Sequence, residues 1–144
     1  MDEHGYVVNV DVAVARDGEF LLIERSVQEE HGAGLLAFPG GKLEADPGER
    51  GVLRATARRE VREETGVEIE RVRVIDSSVF ALDDGRQVVN VVTTADYADG
   101  EAHRAAPDEV APVEWRPPAA IRDDDTPDFL VAYLDAIEAA RDGE

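Results

Sequence analysis

Three glutamates, Glu60, Glu63 and Glu64, fall within five positions in the stretch REVREETG, residues 59–66. Clustered carboxylates do chemistry only if the backbone turns them the same way. On a helix advancing about 100° per residue they share an arc of roughly 100°. Leu53, Ala57 and Val61 run beside them as an apolar stripe, while Arg58 and Arg62 point to the opposite side. Glu60 and Glu64 form a like-charge i,i+4 pair, repulsive unless something positive lies between them. A helix needing only solubility would interleave Glu with Lys or Arg at that spacing. Carboxylates gathered in this way suit a hard divalent cation such as Mg2+. The competing reading is surplus charge, because charge runs are usually solvated faces.

The preceding residues favour the metal reading. In AFPGGKLE, Gly40-Gly41 allow backbone groups to approach a phosphate or a metal closely. This is not a P-loop: Leu36 stands six before Lys42 where Gly is required, and Leu43 stands where Ser or Thr is required. The residues Arg59, Glu60, Val61, Arg62, Glu63, Glu64, Thr65, Gly66 and Val67, with Gly41, Glu44 and Glu49 upstream, resemble the signature of the Nudix hydrolases, G-x5-E-x7-R-E-U-x-E-E-x-G-U with U aliphatic. The second half matches at every position. Upstream, seven residues separate Gly41 from Glu49 and nine separate Glu49 from Arg59, four more in total than the signature has. The insertion precedes REVREETG, so the carboxylate arc is untouched. It bears instead on whether Glu49 pairs with Arg59, as the resemblance implies. The closest match covers residues 38–67, and the order of strands and helices extends it over most of the chain.

The resemblance implies an α/β (α+β) fold, a mixed β-sheet sandwiched between helices, filling residues 1–144 as one domain. It also implies hydrolysis of a nucleoside diphosphate linked to another group, a nucleoside triphosphate or an ADP-ribose-like compound, with Mg2+ or Mn2+ as cofactor. By matching position, Glu60, Glu63 and Glu64 would ligate metal together with the carbonyl of Gly40. Glu63 is the first choice to orient or deprotonate the attacking water, and Arg59 would orient the loop through a carboxylate. Gly41 and Glu44 belong to the expected substrate-binding loop. Glu109 lies where many relatives carry a further metal-contacting glutamate, although a plain surface role suits it equally in so acidic a chain. Arg25, ending a strand, could reach phosphate, and Phe38 could stack on a base or simply be core. The alternative function is a Nudix-fold nucleotide-binding or regulatory module without hydrolysis, although such modules usually lose glutamates from the cluster. A homodimer is common in the family.

The elements that must position these residues are legible in outline. YVVNVDVAVA, residues 6–15, alternates apolar and polar residues and reads as a strand; Asp17-Gly18 turns it into a second strand, FLLIER. LLAFPGGKLEADPGERG reads as a short apolar run and a long turn-rich loop. A helix then begins near Gly48 to Val52 and runs to Thr65, with Gly66 at its left-handed end. Residues 67–82 and 86–98 read as a second hairpin around Asp83-Asp84-Gly85, and VAPVEWRP as a short strand with Trp115 and Val113 in the core. A last helix is expected with Asp125 or Thr126 as cap, Pro127 in its first turn, and Phe129, Leu130, Tyr133, Leu134 and Ile137 as its buried stripe.

Composition narrows the function classes. The 144 residues carry 33 acidic against 15 basic side chains, a formal net charge of −18, which repels nucleic acid and anionic membranes. There is no cysteine, which removes disulfides, thiol catalysis and cysteine metal sites. None of the three histidines has a partner at metal-ligand spacing. No apolar run approaches the roughly 20 residues of a membrane span, and the acidic N-terminus lacks a signal pattern, so a cytoplasmic protein is expected. Fourteen arginines and a single lysine, Lys42, accompany the acid. Self-repulsion at this density is relieved by screening, so the composition suggests adaptation to a salty, halophilic cytoplasm.

Overall fold

Valine-rich alternation makes Tyr6–Arg16 a strand, β1, and Asp17-Gly18 turns the chain into β2, Glu19–Arg25. Both turn residues have positive φ, 52° and 81°, the handedness that matches the twist of a two-residue hairpin. The computed structural model describes residues 5–25, 36–103, 110–123 and 126–143.

The stretch read as a short apolar run and a turn-rich loop contains two short strands, β3, Leu36–Ala37, in the apolar run, and β4, Gly40–Lys42, where loop was expected. β4 runs antiparallel to the middle of β1, with Asn9 opposite Lys42, Val10 opposite Gly41 and Asp11 opposite Gly40. Turn-forming glycines masked it from sequence reasoning. Helix α1, Val52–Thr65, ends where Gly66 turns left-handed at φ 76° and donates its N–H to the Arg62 carbonyl at 2.9 Å. The second hairpin joins β5, Glu68–Ala81, to β6, Gln87–Asp99. β7, Val110–Arg116, pairs with β2, and helices α2, Pro118–Ile121, and α3, Asp128–Asp142, follow.

The described strands form one mixed sheet ordered β3-β2-β1-β6-β5, with β4 added on β1 and β7 on β2. β1 and β6 are parallel over ten pairs, from Tyr6–Gln87 to Ala15–Asp96. Helices cover both faces, as expected. Val8, Val10, Val12 and Val14 of β1 point toward α1 and pack with Leu53, Ala57 and Val61. Ala13 and Ala15 point the other way, with Phe20, Leu22 and Phe38 against Ile121 and the α3 residues Leu130, Leu134 and Ile137. Truncating a side chain buried as deeply as Leu134 to alanine costs about 2–5 kcal/mol.

The last helix departs from expectation at its start. Among the described residues no side chain caps α3; Pro127 itself is the N-cap, and its carbonyl accepts the N–H of Leu130 at 3.1 Å. The N–H of Leu130, third in the helix and one that a capping side chain would ordinarily accept, is taken up by that carbonyl. Asp125 lies outside the described residues. Of the predicted stripe, Phe129 is exposed and stacks edge-on against half-buried Tyr133 at 5.8 Å. Trp115 packs on the α1-side core, edge-on to Tyr97 at 6.0 Å, with the Arg16 guanidinium 4.1 Å from its ring centre. Among the described residues, no helix is long and apolar enough to cross a membrane.

Candidate functional site

The glutamate helix and the glycine strand meet residue by residue. The Gly40 N–H donates to Glu64 Oε1 at 2.9 Å, an almost fully buried bond. Next along β4, Gly41 lies against Glu60: a Cβ built on Gly41 would stand 2.5 and 2.6 Å from the two Glu60 carboxylate oxygens. Then the Lys42 carbonyl accepts from Arg59 Nη2 at 2.9 Å. Three consecutive strand residues thus engage Glu64, Glu60 and Arg59 of α1. Gly40 is constrained from behind as well, because a Cβ there would sit 2.9 Å from Asp11 Cα and closer still to the Val10 carbonyl oxygen. Real Cβ atoms do not approach backbone so closely, so this crossing of β1, β4 and α1 requires glycine.

The three carboxylates differ in setting. Glu64 is 3% exposed, and a carboxylate that deep needs donors such as the Gly40 amide. Glu60 is partly buried, with Arg59 Nη2 at 3.4 Å. Glu63 has 59% of its side chain exposed, with Arg59 Nε at 4.0 Å. Arg59 therefore sits between Glu60 and Glu63, and the repulsion implied for Glu60 and Glu64 is eased from two sides, by Arg59 at Glu60 and by the Gly40 amide at Glu64. Among the described residues, no three Asp, Glu or His side chains converge on one cation-sized point. The donor set nonetheless fits a hard cation in its chemistry: it is all oxygen and lies on one helical face, with the Glu60 carboxylate against Gly41.

Glu49 does not pair with Arg59. Its carboxylate accepts the Asp46 N–H at 3.2 Å while its own N–H donates to the Asp46 carbonyl at 3.1 Å, closing a small turn within the inserted residues. Arg59 turns to Lys42 and its own helix instead. Glu44 is exposed just beyond β4. Phe38 is 2% exposed and lies edge-on to Phe20 at 6.3 Å, so it is a core ring, and stacking on a base would require its neighbours to move. Arg25 ends β2, but its side chain, like the whole of Glu109, falls outside the described residues.

Sequence reasoning missed a polar network on the α3 side of the sheet. Asn9 donates to Asn90 Oδ1 at 2.8 Å and to Asp11 Oδ1 at 3.1 Å. Asn90 donates to Asp11 Oδ2 at 3.1 Å and to the Tyr133 hydroxyl at 2.9 Å. Burial, reinforced by the Asp11 charge, raises the Tyr133 hydroxyl above the usual tyrosine range. The signal was present in VVNVD and QVVNVV, where amides and a carboxylate interrupt valine runs. Alternation assigns such positions to solvent; here α3 covers that face.

An α+β protein with a mixed sheet between helices and a carboxylate helix laid along a Gly-Gly strand is a well-defined class. The family described as the NUDIX domain matches residues 5–134, and the chain belongs to that family. The CTP pyrophosphohydrolase of Escherichia coli (strain K12) is 44% identical over 59 residues, which span 41% of this chain and 40% of that protein. The MutT NUDIX hydrolase from Burkholderia pseudomallei superposes with a TM-score of 0.77 at 24% identity, covering 93% of this chain and 99% of that one. The NUDIX domain of Shewanella oneidensis NrtR, crystallised in complex with ADP ribose, superposes with a TM-score of 0.70 at 24% identity, covering 96% and 88%.

Proposed function

We propose that the chain is a divalent-cation-dependent pyrophosphohydrolase acting on a nucleoside diphosphate linked to another group, either a nucleoside triphosphate or an ADP-ribose-like compound. The observation that carries this reading is the ladder of contacts from Gly40, Gly41 and Lys42 to Glu64, Glu60 and Arg59. It fixes the carboxylate face of α1 against a backbone that has no side chains in the way. Glu60, Glu63 and Glu64, with the Gly40 carbonyl, are the groups to hold Mg2+ or Mn2+, and Glu109 is a further candidate. Such a cation supplies charge neutralisation for the pyrophosphate and acidifies the attacking water.

The residues of the chain divide the remaining work. Glu63, the most exposed of the three, can take a proton from water as its oxygen attacks phosphorus and the P–O–P bond breaks toward the leaving phosphate. Arg59 acts through β4, holding the Lys42 carbonyl and with it the Gly-Gly strand. The Asn9–Asp11–Asn90–Tyr133 network begins at the β1 residue opposite Gly40 and offers both donors and acceptors to a nucleobase edge. The related CTP pyrophosphohydrolase supports a nucleoside triphosphate as substrate.

One observation favours a second reading, a binding module without hydrolysis: the described carboxylates do not already converge on one point. The NrtR domain complexed with ADP ribose has the same fold. A panel of nucleoside triphosphates and ADP-ribose, assayed with Mg2+ or Mn2+ and again with EDTA, separates the two. Hydrolysis that EDTA abolishes supports the enzyme. Nucleotide binding by calorimetry with no product across the panel supports the module.

A further inference from the structure

The side of α1 away from the glutamates carries the opposite charge. Arg54 and Arg58 are exposed and spaced i,i+4, a like-charge pair as repulsive as Glu60 and Glu64. Neither makes an ion pair or hydrogen bond among the described residues. They line one wall of a cavity of about 680 Å3 whose other walls include Arg71, Arg73 and Arg141, with Asp96 as the one acidic residue lining it among those described. Arg71 and Arg141 grip opposite oxygens of Asp96, at 2.6 and 2.8 Å, and Arg141 also donates to Thr94 at 3.1 Å. Five of the chain's fourteen arginines therefore line one cleft, with Asp96 the one acidic side chain lining it among the described residues.

The edge strand is bent to present them. The pairing of β5 with β6 slips between Glu70 and Arg73, so that one extra residue is inserted in β5. Arg71 takes the left-handed conformation there, φ 54°, costly for a residue with a side chain. Its side chain remains 74% exposed despite the ion pair. Across most of a surface with net charge −18, anions are repelled. In this cleft they meet planar guanidinium forks suited to the oxygens of phosphate, approached from more than one direction. The cavity is of small-molecule size.

We infer that the cleft of Arg54, Arg58, Arg71, Arg73 and Arg141 is a second binding site, for a compact phosphate anion of two or more charges such as inorganic pyrophosphate. It lies behind the catalytic candidate, and its ligand needs no metal. Inorganic pyrophosphate is therefore titrated into the full chain by calorimetry in EDTA at fixed ionic strength, where the α1 carboxylates repel anions, so the outcome is independent of hydrolysis. The inference expects saturable one-site binding, weakened roughly tenfold or more in an Arg54→Gln/Arg58→Gln variant, which removes two charge-assisted contacts. These side chains are exposed and unpaired among the described residues, so the variant keeps its circular dichroism and Tm. Asp96→Asn, which frees two guanidiniums, tightens binding. Equal affinity in wild type and double variant, or heats that KCl of matched ionic strength reproduces, would overturn the site. Tighter binding of oligoglutamate than of pyrophosphate would overturn the ligand class in favour of an acidic protein segment.

Discussion

The two sides of α1 solve the same electrostatic problem in opposite ways. One side lines up Glu60 and Glu64, the other Arg54 and Arg58, each a repulsive i,i+4 pair. On the acidic side the repulsion is met from within: Arg59 lies between Glu60 and Glu63, and the Gly40 amide serves Glu64. On the basic side, among the described residues, Asp96 is reached by Arg71 and Arg141, and no partner reaches Arg54 or Arg58. Charge that is held in place by backbone reads as a prepared site. Charge left over beside a cavity reads as an invitation to a counterion. That contrast can be broken in several places.

The largest effect is expected from Glu63→Gln. Loss of the carboxylate proposed to direct water lowers kcat by roughly 10²–10⁴-fold, measured by released phosphate. Tm changes little, because the side chain is mostly exposed. Activity equal to wild type would remove Glu63 from the role and shift attention to Glu60.

The two glycines separate packing from function. Gly40→Ala drives a Cβ into the backbone of β1, which cannot yield, and destabilises the fold by about 3 kcal/mol. Gly41→Ala meets only the end of the Glu60 side chain. Denaturant unfolding then shows a loss near 1 kcal/mol, while activity falls roughly 10²-fold because the carboxylate proposed to hold the metal has been displaced. Similar stability losses for both would show that Glu60 is locked as firmly as backbone.

On the basic side the test is pH. Burial, the largest single influence, pushes the Asp96 carboxyl up, but Arg141 and Arg71 together outweigh it and hold it below the usual carboxylate range. A folded pKa below the unfolded value of about 3.9 stabilises the fold above that pH, and the gain is lost as pH falls through the folded value. Asp96→Asn is therefore less stable than wild type at neutral pH, and the gap narrows in acid below about pH 4. A gap that stays constant with pH would mean the ion pairs contribute little. The smallest and most general effect is salt: Tm rises from dilute buffer to molar KCl as self-repulsion of the net charge is screened. A Tm unchanged or lowered would remove the halophilic reading.

What could be read from sequence was local. Both hairpins, the span of α1, its glycine end at Gly66 and the Leu53–Ala57–Val61 stripe depend on neighbours a few residues apart. REVREETG was legible for the same reason, since one helix fixes the relative direction of its side chains. The rest depends on contacts across the chain. β4 is a strand only because β1 pairs with it. Asn9 and Asp11 look solvent-facing until β6 and α3 cover both edges of that view. Glu49 was inherited from a signature whose spacing this chain does not keep, and the inserted residues closed on Asp46 instead. The arginine cleft was half visible: Arg54 and Arg58 share a helix, whereas Arg71, Arg73 and Arg141 arrive from β5 and α3.

The central claim is that, in a chain full of acid, the carboxylates of α1 are a site and not surplus charge. Substoichiometric Mn2+ added to 15N-labelled protein tests this most directly, through paramagnetic broadening of backbone amides. The account predicts that Gly40, Gly41 and residues 60–64 broaden first, well before other acidic stretches such as Asp83-Asp84. Broadening spread over the surface in proportion to local acidic charge would contradict it.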